Sequence, residues 1–224
     1  MGNPAWKEAA RLIDISAVQS YHTESDVRET VRIAKQYGFI NVHSLPDFTS
    51  LVSKLLADEP EIYTGAPVGF PGGGHTTEAK LCEARRLIID GVDEMDVVMN
   101  IGMFRSGAEE YVLDELKQVI GAAPENVLTK VIIEINVLSD EEMLRACSLV
   151  MKSGADFVKT GTGWIPGGAN IERIEKILKI TKGNIKVKAA GGIRTLDEFN
   201  RLLDLGVERF GINLKSALEI VEAS

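Results

Sequence analysis

Residues 139–160 read SDEEMLRACSLVMKSGADFVKT, and the order of features in that stretch decides the fold. Ser139 stands just ahead of Glu141 and Glu142, the cap-and-acid pattern of a helix N-terminus. Gly154 falls where that helix must end, because a left-handed C-cap favours a residue without a Cβ. The short apolar run Phe157–Thr160 follows and reads as a strand. The sequence helix, glycine, strand recurs at Gly38, Gly91 and Gly206. Thr23 with Asp26 gives a second capping pattern, and Leu81, Ala84, Leu87 and Ile88 fall at helical spacing with Glu83, Arg85 and Arg86 between them.

Eight runs read as strands: Leu12–Ser16, Phe39–His43, Glu61–Val68, Glu94–Asn100, Leu128–Ile135, Phe157–Thr160, Ile185–Ala189 and Arg209–Ile212. Their unbroken apolar character, as in Val131-Ile132-Ile133, is that of parallel strands covered on both faces. Eight βα units predict an α/β fold, a single (β/α)8 barrel over residues 1–224. A doubly wound open sheet is the alternative. It would usually carry a phosphate fingerprint after its first strand, and Ser16-Ala17-Val18-Gln19 is not one. No linker or low-complexity segment divides the chain.

The 224 residues are 45% hydrophobic and 26% charged, enough apolar content for one large core. No run approaches the roughly 18 apolar residues that span a bilayer, so no membrane association is expected. Met1 to Trp6 lacks the blocks of a signal peptide, and a cytoplasmic location is the expectation. Cys82 and Cys147 both fall in helix-like stripes and are expected to be small buried hydrophobes. The net charge of −8 opposes nucleic-acid binding. If the ligand is a small anion, positive charge must be supplied locally, inside a pocket.

In such barrels the catalytic groups sit at the C-terminal ends of strands. Three strands carry charge inside an apolar run: Asp96 in the fourth, Lys159 in the sixth and Lys188 in the seventh. A lysine in a buried strand is costly unless paired or neutral, and the plain alternative is that it points outward among the helices. Two lysines at like positions on adjacent strands, with an aspartate two strands away, favour chemistry. A free lysine titrates near 10.4, so only about 1 in 1,000 is neutral near pH 7.4. Imine formation needs the neutral amine. Desolvation and a second ammonium across about 4.8 Å of sheet both lower that pKa. The turn Gly191-Gly192-Ile193-Arg194 after strand seven suits an oxyanion, since phosphate sites in these barrels often use the loops after strands seven and eight.

Taken together, these residues resemble the deoxyribose-phosphate aldolase family of class I aldolases. The matching segments are Leu12-Ile13-Asp14, Gly69-Phe70-Pro71, Asp93 to Val98, Val131 to Glu134, Gly154 to Gly163 and Lys188 to Thr195, in order along nearly the whole chain. The resemblance implies Lys159 as the Schiff-base lysine, Lys188 as its pKa-lowering neighbour and Asp96 as the proton-relay acid. It implies substrate or phosphate binding by Asp14, Ser16, Thr160, Thr162, Gly163, Gly191, Gly192, Arg194, Gly211 and Asn213. The implied reaction is reversible cleavage of 2-deoxy-D-ribose 5-phosphate to acetaldehyde and D-glyceraldehyde 3-phosphate. No cofactor or metal is implied, and no His, Asp and Glu trio has metal-ligand spacing. The implied partners are a small sugar phosphate or aldehyde and further copies of the chain, as a homodimer or homotetramer.

The chain departs from the family pattern in places. Gly161 replaces a serine, and Trp164 follows Gly163. Strand eight ends in Gly211-Ile212-Asn213-Leu214 where serines are typical, although the Asn213 amide retains a donor. Strand two ends His43-Ser44-Leu45-Pro46, so His43 either faces the pocket or has a structural role. His22 and His75 read as loop residues, and Lys215 as a solvated lysine or a substitute phosphate ligand. Some members carry a C-terminal tyrosine that assists proton transfer, whereas the last tyrosine here is Tyr111. Two other functions stay open: the same imine chemistry on a different, possibly unphosphorylated substrate, and a catalytically silent barrel that binds a sugar phosphate.

Overall fold

The computed structural model describes residues 5–167 and 169–224; residues 1–4, part of the segment read as lacking a leader, lie outside them. Eight parallel strands close in chain order into a barrel: β1 (Ile13–Ala17), β2 (Asn41–Ser44), β3 (Tyr63–Val68), β4 (Glu94–Val98), β5 (Leu128–Ile132), β6 (Phe157–Lys159), β7 (Lys186–Ala190) and β8 (Arg209–Asn213). The ring shuts where β1 pairs with β8, Asp14 opposite Gly211.

The helices are α1 (Ala5–Ala10), α2 (Glu24–Tyr37), α3 (Thr49–Leu55), α4 (Thr77–Ile89), α5 (Ile101–Arg105), α6 (Glu109–Gly121), α7 (Asp140–Ser153), α8 (Ile171–Thr181), α9 (Leu196–Asp204) and α10 (Leu214–Ala223). Thr23 and Ser139 close full capping boxes with Asp26 and Glu142, and Gly38 and Gly154 are left-handed C-caps. Each cap satisfies backbone groups that a helix end leaves unpaired. Three strands stop earlier than the apolar runs suggest, β6 by one residue and β4 and β5 by more. After β4, Asn100 turns away to cap α5 by accepting from Met103 N–H. After β5, Glu134 takes a left-handed conformation, φ 52°, that no strand accommodates. The expectation for Cys82 is corrected: it lies on the outer face of α4 and is exposed, whereas Cys147 is buried.

Strand alternation sorts the side chains. Ile15, Met95, Val97, Val131, Val158, Val187 and Phe210 face outward and pack against the helices in two apolar clusters, one around β3–β6 and one around β1, β2 and β8. The alternate positions face inward. They include Asp14, Glu94, Asp96, Lys130, Lys159, Lys188 and Arg209, all buried. The inside of this barrel is therefore ionic, where such barrels usually hold branched aliphatic layers. Among the described residues no helix is long and apolar enough to cross a membrane.

Candidate active site

Lys159 and Lys188 are direct register partners on β6 and β7, so alternation turns both inward. They converge on one oxygen. Asp96 Oδ2 accepts from Lys159 Nζ at 2.6 Å and from Lys188 Nζ at 2.8 Å. Lys188 also reaches Asp14 Oδ2 at 2.5 Å, and Lys130 lies 3.2 Å from the other Asp96 oxygen. Below them Glu94 accepts from Lys130 and Arg209, and Arg209 donates to Asp14.

Charge counting separates Lys159 from its neighbours. Asp14, Glu94 and Asp96 supply three anions, and Lys130, Lys188 and Arg209 three cations. The layer is balanced before Lys159 is counted, so a charged Lys159 would be the surplus cation in a buried, low-dielectric place. Its pKa is accordingly lowered from 10.5 to about 8. Burial is the main cause, Lys188 and Lys130 add repulsion, and Asp96 opposes them. Burial alone would raise the carboxyls of Asp96 and Asp14, but the surrounding cations outweigh it and hold both below the ordinary range. Lys130 is held above its usual value because Asp96, Glu94 and Asp14 outweigh its burial. Lys159 is thus the lysine of the layer whose neutral form is favoured, with Asp96 as the anion it shares with Lys188.

Above this layer a cavity of about 220 Å³ opens at the C-terminal ends of the strands. Asp14 and Ser16 of β1, Lys159, Thr162 and Gly163, Lys188, Gly191, Gly192 and Arg194, and Gly211 and Asn213 of β8 all line it. Two of the sequence-predicted residues do not. Asp96 lies underneath, meeting the cavity through Lys159, Lys188 and His43. Thr160 is spent between strands: its hydroxyl donates to Ala190 O and accepts from Ala190 N–H, tying β6 to β7. The Asn213 amide is partly engaged as well, since Oδ1 caps α10 at Ser216 N–H and one Nδ2 hydrogen goes to Ser216 Oγ. Among the described residues no group of three or more His, Cys, Asp or Glu side chains is placed to hold a metal ion.

A scan against family models matches residues 9–212 to the DeoC/LacD family of aldolases. The chain belongs to that family. A deoxyribose-phosphate aldolase of Sinorhizobium medicae is 48% identical over 216 residues, 96% of this chain and 86% of that one. One from Klebsiella pneumoniae is 47% identical over 206 residues, 91% of this chain and 82% of that one. Among solved structures, a tetrameric deoxyribose phosphate aldolase from Aeropyrum pernix superposes with a TM-score of 0.88 at 29% identity, covering 97% of this chain and 91% of that one.

In this aldolase the departures from the family pattern remodel the cavity's surroundings and leave the lysine pair in place. A Cβ on Gly161 would sit 2.8 Å from Glu134 Oε1, so the glycine makes room for that carboxylate. Glu134 in turn holds the loop after β6, accepting from Thr162 N–H at 3.0 Å and from its hydroxyl at 2.5 Å. Trp164 packs edge-on against Phe70, ring centroids 5.5 Å apart, and its indole N–H donates to Val18 O. It thereby bridges the loops after β1, β3 and β6. Lys215 is 86% exposed with only a distant Glu219 beside it, the solvated reading of that residue. His43 faces inward and lines the cavity. Sequence reasoning passed over Lys130, Glu94 and Arg209, although each shows the same signal as Lys159, a charge inside an apolar strand.

Proposed function

We propose that this aldolase reversibly cleaves 2-deoxy-D-ribose 5-phosphate to acetaldehyde and D-glyceraldehyde 3-phosphate, with Lys159 as the nucleophile. The observation that carries the assignment of Lys159 is that it is the surplus cation of a balanced buried layer, which lowers the pKa of its amine to about 8. The neutral amine adds to the C1 carbonyl, and loss of water from the carbinolamine leaves a protonated imine. The C2–C3 bond then breaks, its electron pair moving into a C1–C2 double bond as the imine nitrogen is neutralised. The C3 hydroxyl gives up its proton and becomes the aldehyde of the departing triose phosphate. A proton is added at C2, and hydrolysis frees acetaldehyde and Lys159. Asp96, ionised and shared by both Nζ atoms, is placed to pass protons between Lys159 and Lys188 through these steps. The protonated imine is itself the electron sink.

The phosphate is assigned to the rim formed by Gly163, Gly191, Gly192 and Arg194. There Gly163, Gly191 and Gly192 hold positive φ, 77°, 93° and 78°, a backbone shape that favours glycine and lets main chain approach an anion. Arg194 brings the local positive charge that an acidic protein otherwise withholds. The whole chain is proposed to work as one barrel unit in the cytoplasm, as a homodimer or homotetramer. The exposed Ile89 and Tyr21 and the tetrameric likeness support self-association.

Acetaldehyde release from 2-deoxyribose 5-phosphate, with Lys159→Met beside the wild type, tests the reading. Release by the wild type and none by the variant is expected. Equal turnover by both would refute the assignment of Lys159, and no release by either would refute the substrate.

A further inference from the structure

His43 is an inward side chain that combines cavity access with an unshared lone pair, and a chain of hydrogen bonds fixes where that lone pair is. Glu94 is an acceptor, since Lys130 and Arg209 both donate to it. Asn41 must therefore turn its Nδ2 toward Glu94 Oε2, at 2.9 Å, which leaves Asn41 Oδ1 facing His43 Nδ1 at 2.7 Å. An amide oxygen is only an acceptor, so Nδ1 carries the ring proton and Nε2 is bare. Nε2 is buried without a hydrogen-bond partner and lies 3.3 Å from Asp96 Oδ2, the oxygen that also holds Lys159. The imidazole has its own berth: a Cβ on Gly65 would come within 2.1 Å of Nδ1.

The other titratable groups on the cavity are poorly suited to take a proton from carbon. Asp14 is committed to Lys188 and Arg209, and Arg194 is a permanent cation. Lys188 is clasped by Asp14 and Asp96. The groups facing the imidazole are Asp96 from β4, Lys159 from β6, Lys188 from β7 and Asp14 from β1. Burial, with Lys188 and Lys159 behind it, keeps the imidazole neutral against the pull of Asp96. Once it accepts a proton, the Asp96 carboxylate beside Nε2 stabilises the resulting cation.

We propose that His43 is a further catalytic residue, the general base and acid that moves the proton at C2 of the Lys159-bound intermediate. In the synthetic direction a C2–H bond of the acetaldehyde imine breaks and an Nε2–H bond forms. The C–H electron pair becomes the C1–C2 double bond, and the imine π pair returns to the nitrogen of Lys159. In cleavage the same proton goes back from Nε2 to C2. The distances permit this: Nε2 and Lys159 Nζ lie 3.3 and 2.6 Å from the same Asp96 oxygen, so they are at most about 6 Å apart, and a carbon one bond beyond the imine carbon has room between them at the roughly 3 Å that a base requires.

This inference rests on the imine at Lys159, and one experiment separates the two. The protein is incubated with acetaldehyde in deuterium oxide, methyl exchange is followed by NMR, and the imine is trapped in parallel with borohydride. His43→Asn keeps a polar group at the Nδ1 position, and His43→Gln puts a non-basic amide near Nε2. Both variants are expected to trap the imine on Lys159 as the wild type does while exchanging methyl protons about 100-fold more slowly. Retained trapping also reports that the variants fold. Added imidazole should restore exchange to a His43→Ala variant, which a purely structural role would not allow. Unchanged exchange in trapping-competent variants would overturn the role of His43 alone. Parallel loss of trapping and exchange, with no imidazole rescue, would make the residue structural and overturn it too. Absence of any adduct in the wild type would remove the Lys159 reading and this one with it.

Discussion

Replacing Lys188 by Met should make the nucleophile harder to deprotonate. Lys159 Nζ and Lys188 Nζ share one Asp96 oxygen, at 2.6 and 2.8 Å, which puts them within about 5 Å of each other. Two unit charges at about 5 Å in an effective dielectric near 20 repel by on the order of 3 kcal/mol, equivalent to about two pKa units. Removing Lys188 abolishes that repulsion and also leaves Asp96 freer to hold a proton on Lys159. Burial, the largest cause of the lowered value, remains. The amine should therefore climb from about 8 by roughly one to two units, without passing 10.5. At pH 7.5 its neutral fraction would fall from roughly a quarter to roughly 1%. The assay is the initial rate of borohydride trapping with acetaldehyde across pH, which rises as the ammonium loses its proton. Reading the position of the inflection rather than its height separates the electrostatic role of Lys188 from any part it plays in proton transfer. An inflection that stays near 8, or moves down, would refute the argument and leave burial and Lys130 as the causes.

Lys159→Met should stabilise the protein at neutral pH. The folded pKa lies below the unfolded one, so the unfolded chain binds the proton more tightly; folding bears the penalty fully below about pH 8 and sheds it as pH rises toward 10.5. That gap corresponds to on the order of 3 kcal/mol, and thermal melts at pH 7 should show Tm higher by about 6–12 °C; a lower Tm would refute it. Asp96→Asn should do the reverse, because it removes the anion shared by Lys130, Lys159 and Lys188 and leaves the buried layer with more cations than anions. A loss of about 3–5 kcal/mol in urea unfolding is expected, and an unchanged midpoint would refute the counterion role.

The barrel was legible because its signals are local. Capping residues, glycines after helices and unbroken apolar runs each depend on a few neighbouring positions, and all point to the same alternation of helix and strand. Strand ends were less legible: Ile133 and Ile135 extend the apolar run on either side of Glu134, yet a left-handed turn at Glu134 ends the strand and its carboxylate meets Thr162. Lys159, Lys188 and Asp96 stood out as charges in buried strands. Lys130 and Arg209 carry the same mark but were passed over, since their roles appear only when strands distant in sequence close into a ring. Cys82 misled because a helical stripe does not say which of its edges the barrel covers. Thr160 was assigned to substrate by motif, but hydrogen bonds to Ala190 that no motif records claim its side chain, while Asn213 lines the cavity with its amide partly engaged by Ser216.

The ionic layer lies under the cavity floor, whereas Arg194 stands exposed at the rim. Dissolved ions reach these two places unequally, because screening acts strongly on solvated charges and weakly on buried ones. Rising ionic strength should loosen the hold on the phosphate while leaving the amine's titration almost untouched. The floor carries its own counterions as folded-in side chains, and the reactivity of Lys159 is thereby insulated from the salt content of its surroundings.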